Sequence, residues 1–482
     1  MRRHGCAEKY LYNLREVFGV GVNKMQKIWD RILNSYSING QAVQTLAHFK
    51  TFLKTYRFLK KSQWWSQEQF EAYQLQQLHR LIHNAYKNVP YYRKIFDERS
   101  LTPKDIKHFE DLQKLPFLTK DIVREHIKDL KATNCPEYKF EFNRTGGSTG
   151  FPLQFYKEKG VWMARHMAYT KAIMDWTGCS FLDRSVFITH LEEPWKYQLF
   201  GRVLVLSSFY MNEDYIPQFI QKISKLKPKY ILTYPSTITI LAQYMKKNNI
   251  KAFSTIEAII CHAETIYDWQ RDIVEEIFNC RVHDSYGQRE QTVFGGTCEY
   301  SNCYHMFPQY GIFELIDKNG KPVTKEDKIG EIVGTGFHTY FFPFIRYKTG
   351  DLGVYTKKKC ECGRNYPLLK KIEGRVQDFV VSKNKKIIPF TEVHHLVVDS
   401  SQQVKESQFY QDKEGELVLN IVKTQQYTES DSQAIQKNFQ KILDNEFHLS
   451  ICFVDHIPRT KRGKFQFLIQ KLPIEFGPTL NS

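Results

Sequence analysis

The chain has 482 residues, beyond the roughly 250–300 at which one hydrophobic core stops growing, so at least two domains are expected. Hydrophobic residues make up 42% and aromatic residues 15%, with 25 Gly and 17 Pro, which excludes wholesale disorder and collagen-like structure. A net charge of +17 favours polyanionic partners or a basic solvated surface, and the even spread of Lys and Arg leaves both open. No apolar run approaches the ~20 residues of a bilayer span. Arg15 and Glu16 interrupt any signal-peptide core after Met1-Arg2-Arg3-His4, so a cytoplasmic protein is expected.

In chain order, residues 1–60 read as a helical N-terminal extension, with Leu11, Leu14 and Phe18, then Leu46, Phe49 and Phe52, at spacings of three and four. A helix is expected over 68–83, ending before Asn88-Val89-Pro90 because a residue preceding proline disfavours the helical region. Pro116 and Thr119-Lys120-Asp121 signal another helical start. Strand patterns follow at 185–189, 202–206, 230–233, 258–261 and 311–316, interleaved with helical patterns at 216–226 and 238–246. This alternation predicts a large, layered α/β domain over 61–374 with mainly parallel sheets. After Gly374 the texture changes to short strands at 379–382, 416–422 and 452–455 around one helix at 432–444. Residues 375–482 are therefore expected to form a small α+β C-terminal domain.

The sharpest local motif is Arg144-Thr145-Gly146-Gly147-Ser148-Thr149-Gly150, directly after a strand-like 140–142. Three glycines let backbone N–H groups face an anion, and the hydroxyls of Thr145, Ser148 and Thr149 can donate to phosphate oxygens. It is neither a Walker A loop nor GxGxxG, and by itself it could equally be a surface turn.

Ten cysteines in a chain this long do not make a disulfide framework. Cys6, Cys135, Cys179, Cys261, Cys280 and Cys452 stand singly and are expected in the core. Cys298, Cys303 and His305 with Cys360-Glu361-Cys362-Gly363-Arg364 form one cluster of metal-ligand type. Cys-x-Cys-Gly supplies two thiolates on a tight turn, and a pair from another loop would complete a closed, structural zinc site. Cys298, His305, Cys360 and Cys362 are the chosen set, with Cys303 a substitute. Unrelated reduced thiols are the alternative.

Four further stretches follow the glycine motif in fixed order: Asp284-Ser285-Tyr286-Gly287-Gln288-Arg289-Glu290, Arg346-Tyr347-Lys348-Thr349-Gly350-Asp351-Leu352, Glu373-Gly374-Arg375-Val376-Gln377-Asp378, and Pro458-Arg459-Thr460-Lys461-Arg462-Gly463-Lys464. Together they resemble the adenylate-forming superfamily, in its phenylacetate-CoA ligase-like branch, which includes enzymes associated with capsular polysaccharide biosynthesis. Asn88-Val89-Pro90-Tyr91-Tyr92, Leu115 to Lys120 and Tyr234-Pro235-Ser236 look like that branch too, so the resemblance spans about residues 84–471.

The resemblance implies that residues 145–150 wrap the phosphates of ATP and that Glu290 binds magnesium. It also places Tyr286 near the adenine, has Asp351 accept from the ribose hydroxyls, and gives Arg375 a hold on the nucleotide. Ala263 and Glu264, with Asp284 and Gly287, would line the nucleotide pocket. Lys464 matches the catalytic lysine of a mobile lid domain, and Asp378 matches the hinge on which that lid turns. Two positions depart from the superfamily pattern: Leu153 follows Pro152 where a lysine is frequent, and Gln466-Phe467 stand where a basic residue is common.

The implied function is ATP-dependent activation of a small carboxylic acid to an acyl-adenylate, then transfer to a thiol, coenzyme A foremost. A nearby alternative transfers the acyl group to an amine or hydroxyl in cell-surface polysaccharide biosynthesis. An alternative of another class is a basic nucleic-acid-binding protein. No RNA-binding signature is present, and no specific nucleic-acid partner is expected. A homodimer is compatible with this reading.

Overall fold

The computed structural model describes residues 48–144, 153–375, 379–384, 387–390, 393, 396–397, 400–401, 403–443, 446–460 and 465–472. The sites expected at residues 145–150, at Asp378 and at Lys464, and the side chain of Arg375, lie outside the described residues.

Helix α1 (Phe49–Ser62) buries Phe49, Phe52, Leu53 and Leu59. The Tyr56 hydroxyl donates to Asp175 Oδ2 at 2.6 Å and Lys60 pairs with the same carboxylate at 3.4 Å, which ties α1 to α5 (Val161–Trp176). Helix α2 (Gln67–Asn88) begins at a Ser66/Gln69 capping box, which satisfies backbone N–H groups that the first turn cannot. It ends where Val89, held extended before Pro90, hands over to α3 (Pro90–Glu98). Thr119 caps the short α4 (Lys120–Glu125), its Oγ1 accepting from the Ile122 amide at 3.3 Å.

Strands β1 (Phe140–Arg144) and β2 (Gln154–Glu158) form an antiparallel hairpin beside α5. The α/β body follows: β3 (Ser185–Thr189), β4 (Trp195–Gln198), β5 (Val203–Ser207), α6 (Ile216–Leu226), β6 (Tyr230–Thr233), α7 (Pro235–Lys247), β7 (Ala258–His262), α8 (Asp268–Phe278) and β8 (Arg281–Gly287). Helix α7 starts three residues before the expected position because Pro235, with its fixed φ and missing N–H, suits the first helical position.

Seven antiparallel strands and strand segments extend this body. They are β9 (Phe294–Gly296), β10 (Tyr304–Met306), β11 (Gly311–Ile316), β12 (Ile329–Gly336), β13 (Tyr347–Tyr355) and β14 (Leu368–Arg375), with β4 at the far edge. All join one sheet in the order β11-β12-β13-β14-β10-β9-β8-β7-β6-β3-β5-β4. Only the run β5-β3-β6-β7-β8 pairs in parallel. The expected α/β class holds, but the sheet is mixed, since strands joined by short connections without a crossover helix must pair antiparallel.

The C-terminal unit contains β15 (Phe379–Val381) paired with β16 (Ile387–Pro389), and a four-stranded sheet ordered β19-β18-β17-β20. Its strands are β17 (Val404–Gln411), β18 (Glu416–Lys423), β19 (His448–Phe453) and β20 (Leu468–Gln470), backed by α9 (Glu429–Leu443). Phe409, Leu419, Ile435 and Phe439 are its buried centre, against which Tyr267 and Trp269 of the large body also pack. The strand expected at 452–455 lies earlier, as β19, paired in parallel with β18. Cys452 sits on this edge strand and is exposed, which corrects its expected place in the core; Cys179 and Cys261 are buried as expected.

Candidate active site

Adjacent parallel strands β7 and β8 pair from Ala258↔Arg281 to His262↔Ser285, so His262-Ala263-Glu264 and Tyr286-Gly287 leave the sheet side by side at the strands' carboxyl ends. That edge is where open α/β sheets bind ligands. Ala263 adopts a left-handed φ of 67°, and Gln291 (60°) and Arg346 (50°) do likewise next to the other two stretches. Such backbone costs of order 1–3 kcal/mol for a side chain with a Cβ and concentrates at functional sites.

Strand β13 returns the third stretch to this edge. The Tyr286 hydroxyl donates to Asp351 Oδ2 at 2.8 Å, and Gln288 Nε2 donates to the Tyr286 oxygen at 3.2 Å. Four residues before Asp351 on the same strand, the buried Tyr347 donates its hydroxyl to Glu290 Oε1 at 2.8 Å. Gly350, at φ 77°, makes the irregularity that turns Asp351 toward Tyr286, a conformation glycine adopts without steric cost. Strand β13 thus carries both a partner of Glu290 and Asp351 itself, which are 61 positions apart in sequence. Burial pushes the Tyr286 hydroxyl well above its ordinary range, and the Asp351 carboxylate pushes it further, so it stays a proton donor to Asp351.

Asp284 is buried below this edge. Its Oδ1 accepts the Ser285 amide at 2.9 Å, and its Oδ2 accepts the Tyr304 hydroxyl. Burial pushes its carboxyl up to about 7, against the lowering by Tyr304 and Arg271. Glu264 accepts the Ser236 amide at 3.1 Å in the first turn of α7, so one of its oxygens serves the helix N-terminus. The His262 ring meets Tyr234 edge-on at 5.3 Å, and the Tyr234 hydroxyl lies 3.2 Å from Thr189 Oγ1, which continues the polar and aromatic row across the ends of β3 and β6.

Lys157 was not among the expected residues. It lies on β2, inward-facing and 2% exposed, with its ammonium 3.8 Å from the Trp162 ring centroid. Burial and then Arg289 push it down to about 7, opposed by the Glu290 and Glu141 carboxylates. The hairpin that flanks residues 145–152 thus carries a buried lysine, opposite Glu141 across the hairpin, whose charge Glu290 favours. Strand alternation carried the signal, because Lys157 shares the face of fully buried Phe155.

The four thiol-cluster residues also converge. One ligand atom from each of Cys298, His305, Cys360 and Cys362 lies within 4.8 Å of all the others. Cys298 Sγ is 3.5 Å from Cys360 Sγ, and His305 Nε2 is 3.2 Å from Cys362 Sγ. Cys303 is not in the group; its amide bonds Ser301 Oγ at 3.0 Å.

Comparison with known proteins bears on this geometry. Residues 380–471 match the CapK C-terminal domain family. Protein CapK of Staphylococcus aureus is 28% identical over 405 residues, covering 80% of this chain and 86% of that protein. Phenylacetate-coenzyme A ligase of Thermus thermophilus is 25% identical, covering 73% and 80% respectively. The chain is similar to CapK and to the phenylacetate-CoA ligases. A crystal structure of 2-hydroxyisobutyryl-CoA ligase in its postadenylation state superposes with a TM-score of 0.69 at 19% identity, over 85% of this chain and 91% of that one. The fold is accordingly that of this acyl-CoA ligase. Among the described residues, no helix is long and apolar enough to cross a membrane.

Proposed function

We propose that the chain is an AMP-forming carboxylate ligase that makes an acyl-adenylate from ATP and a small carboxylic acid and transfers the acyl group to coenzyme A. The observation that carries this reading is the pairing of Tyr286 with Asp351 and of Tyr347 with Glu290 at one sheet edge. Homology to the phenylacetate-CoA ligases supports the choice of thiol as acceptor.

In this reading a carboxylate oxygen attacks the α-phosphorus of ATP, the bond to the β-phosphate oxygen breaks, and pyrophosphate leaves. The thiolate sulfur of coenzyme A then attacks the acyl carbon and AMP departs; the thiol proton passes to solvent. Residues 145–150 cradle the outgoing phosphates with backbone N–H groups and hydroxyls. The Glu290 carboxylate suits magnesium, whose charge would offset that of the phosphates. Asp351 accepts from the ribose hydroxyls, Tyr286 lies against the adenine, and Ala263, Glu264, Asp284 and Gly287 shape the pocket around it. Arg375 steadies the nucleotide from the end of β14. Lys464 bridges the carboxylate and the α-phosphate, and the C-terminal unit withdraws it by rotation about Asp378. Tyr234 and His262 form an aromatic wall suited to an aryl acid.

ATP–pyrophosphate exchange across a panel of aliphatic, aryl and amino acids tests the first step. No acid-dependent exchange with any of them would remove the proposal. A second reading keeps adenylation and moves the acyl group to an amine or hydroxyl of a cell-surface sugar precursor. The similarity to CapK, which includes the C-terminal domain match over residues 380–471, is what favours it. AMP release that needs coenzyme A supports the thiol; release driven by an amine or sugar acceptor without coenzyme A supports the second reading.

A further inference from the structure

Away from the Tyr286–Asp351 edge, the geometry points to a second site: we propose that Cys298, His305, Cys360 and Cys362 bind one structural zinc ion, which latches the corner between α1 and α2 onto the sheet. The distances decide between the possible thiol chemistries. A disulfide needs sulfurs about 2.05 Å apart. Sulfur ligands about 2.3 Å from a tetrahedral zinc stand roughly 3.8 Å apart. Cys298 and Cys360 are separated by 3.5 Å, close to that value, and all four ligand atoms lie within 4.8 Å of one another, near enough to close on one ion. Three soft sulfurs and an imidazole select zinc over hard cations such as magnesium or calcium.

The backbone around the sulfurs is arranged for thiolates. The Tyr300 amide donates to Cys298 Sγ at 3.3 Å, the Cys362 amide to Cys360, and the Arg364 amide to Cys362. Amide donors strengthen toward an anionic acceptor, so this pattern serves a metal-bound sulfur better than a neutral thiol. The Cys-x-Cys-Gly turn favours glycine at its fourth position, since Gly363 takes φ 77°. His305 is completely buried, and its Nδ1 has no hydrogen-bond partner among the described residues. Without an ion this imidazole would keep only a weak thiol contact at Nε2, an unfavourable state for a buried polar ring. Three thiolates and a neutral imidazole leave zinc with surplus negative charge, and the Arg364 guanidinium, which also pairs with Glu299 at 3.0 Å, stands beside Cys362 as a neighbouring cation.

The latch follows from what the turn holds. Arg364 Nε donates to Gln63 Oε1 at 3.1 Å and its guanidinium lies 4.6 Å from the Trp176 ring; Asn365 Nδ2 donates to the Trp65 carbonyl at 2.9 Å. Gln63 and Trp65 are the corner itself. An ion that fixes residues 360–364 therefore fixes α1 and α2 to strands β9, β10 and β14.

The test is elemental analysis of the purified full chain, read without any turnover and so independent of the ligase proposal. Near-stoichiometric zinc is expected, lost in Cys298→Ser and Cys362→Ser and retained in Cys303→Ser. Should the ligand variants fail to fold, the wild-type chain is treated with a mercurial thiol reagent and released zinc is followed with a colorimetric chelator. Limited proteolysis alongside should show new cleavage at residues 62–66 as zinc leaves. Absence of metal, an iron–sulfur cluster, a Cys298–Cys360 disulfide, or equal zinc loss in Cys303→Ser would each overturn the site. Unchanged cleavage on zinc release would overturn the latch.

Discussion

The strand-end edge and the thiol cluster both gather residues distant in sequence, yet they hold them by different means. At the edge, each carboxylate is held by the hydroxyl of a tyrosine: Tyr347 on Glu290, Tyr286 on Asp351, Tyr304 on Asp284. A hydroxyl occupies one lone pair of one oxygen and can rotate, so the carboxylates keep capacity for a cation or a sugar hydroxyl. In the cluster, backbone amides hold the sulfurs, and the sulfurs and the imidazole face one another. The first arrangement suits ligands that come and go, the second an ion that stays.

Substitutions can break that contrast. The largest effect is expected for Lys464→Ala, which should cost ~10²–10³ in the rate of ATP–pyrophosphate exchange, the usual loss of one positioned electrostatic donor. Its melting temperature should stay at the wild-type value, and wild-type exchange would remove Lys464 from the chemistry. Arg364→Ala should show the opposite profile. Its side chain is 6% exposed and pairs with Glu299 at 3.0 Å, so loss of charged hydrogen bonds and ring packing should lower stability by about 2–3 kcal/mol in urea unfolding. Turnover per folded molecule should be retained; an Arg364 variant as inactive as Lys464→Ala would merge the two regions into one.

Tyr286→Phe is expected to be milder. One hydrogen bond to Asp351 is worth about 1–1.5 kcal/mol, or roughly tenfold, and the loss should fall on KM for ATP. An effect confined to the acid substrate would detach this pair from the nucleotide.

The smallest effect concerns pH. Burial pushes His166 and His283 down to about 4 and His338 down to about 3, below the ordinary 6.5. As pH falls from about 6.5 toward 4, the unfolded chain takes up these protons and the folded chain does not, so stability falls on acidification. Asp284, raised to about 7, works in reverse: over the window from about 4 to 7 the folded chain holds its proton, and this contribution is lost as pH rises through 7. Asp284→Asn should therefore make the dependence of stability on pH steeper below 7, measured by urea unfolding at several pH values. A shallower dependence would show that Asp284 is ionised in the fold.

Much of this organisation was legible in the residues. Periodicity placed α6, β3 and β6 at their observed positions. Strands β12 and β13 were not legible. Gly330, Gly334 and Gly336 weaken the strand pattern of β12, although a Cβ at Gly334 would come within 2.6 Å of Thr292, so close backbone packing accounts for that glycine. Lys157 was missed because its meaning depends on what faces it across the hairpin.

Local sequence determined that helices form over these stretches and which residue types could carry charge or bind metal, because these follow from steric and hydrogen-bonding rules acting over a few residues. Only the tertiary structure decided that Glu290 and Asp351 share one edge, that Cys303 stands apart from the other thiols, and that Cys452 lies at a surface. Those outcomes depend on strand order and register across hundreds of residues, and no local rule encodes them.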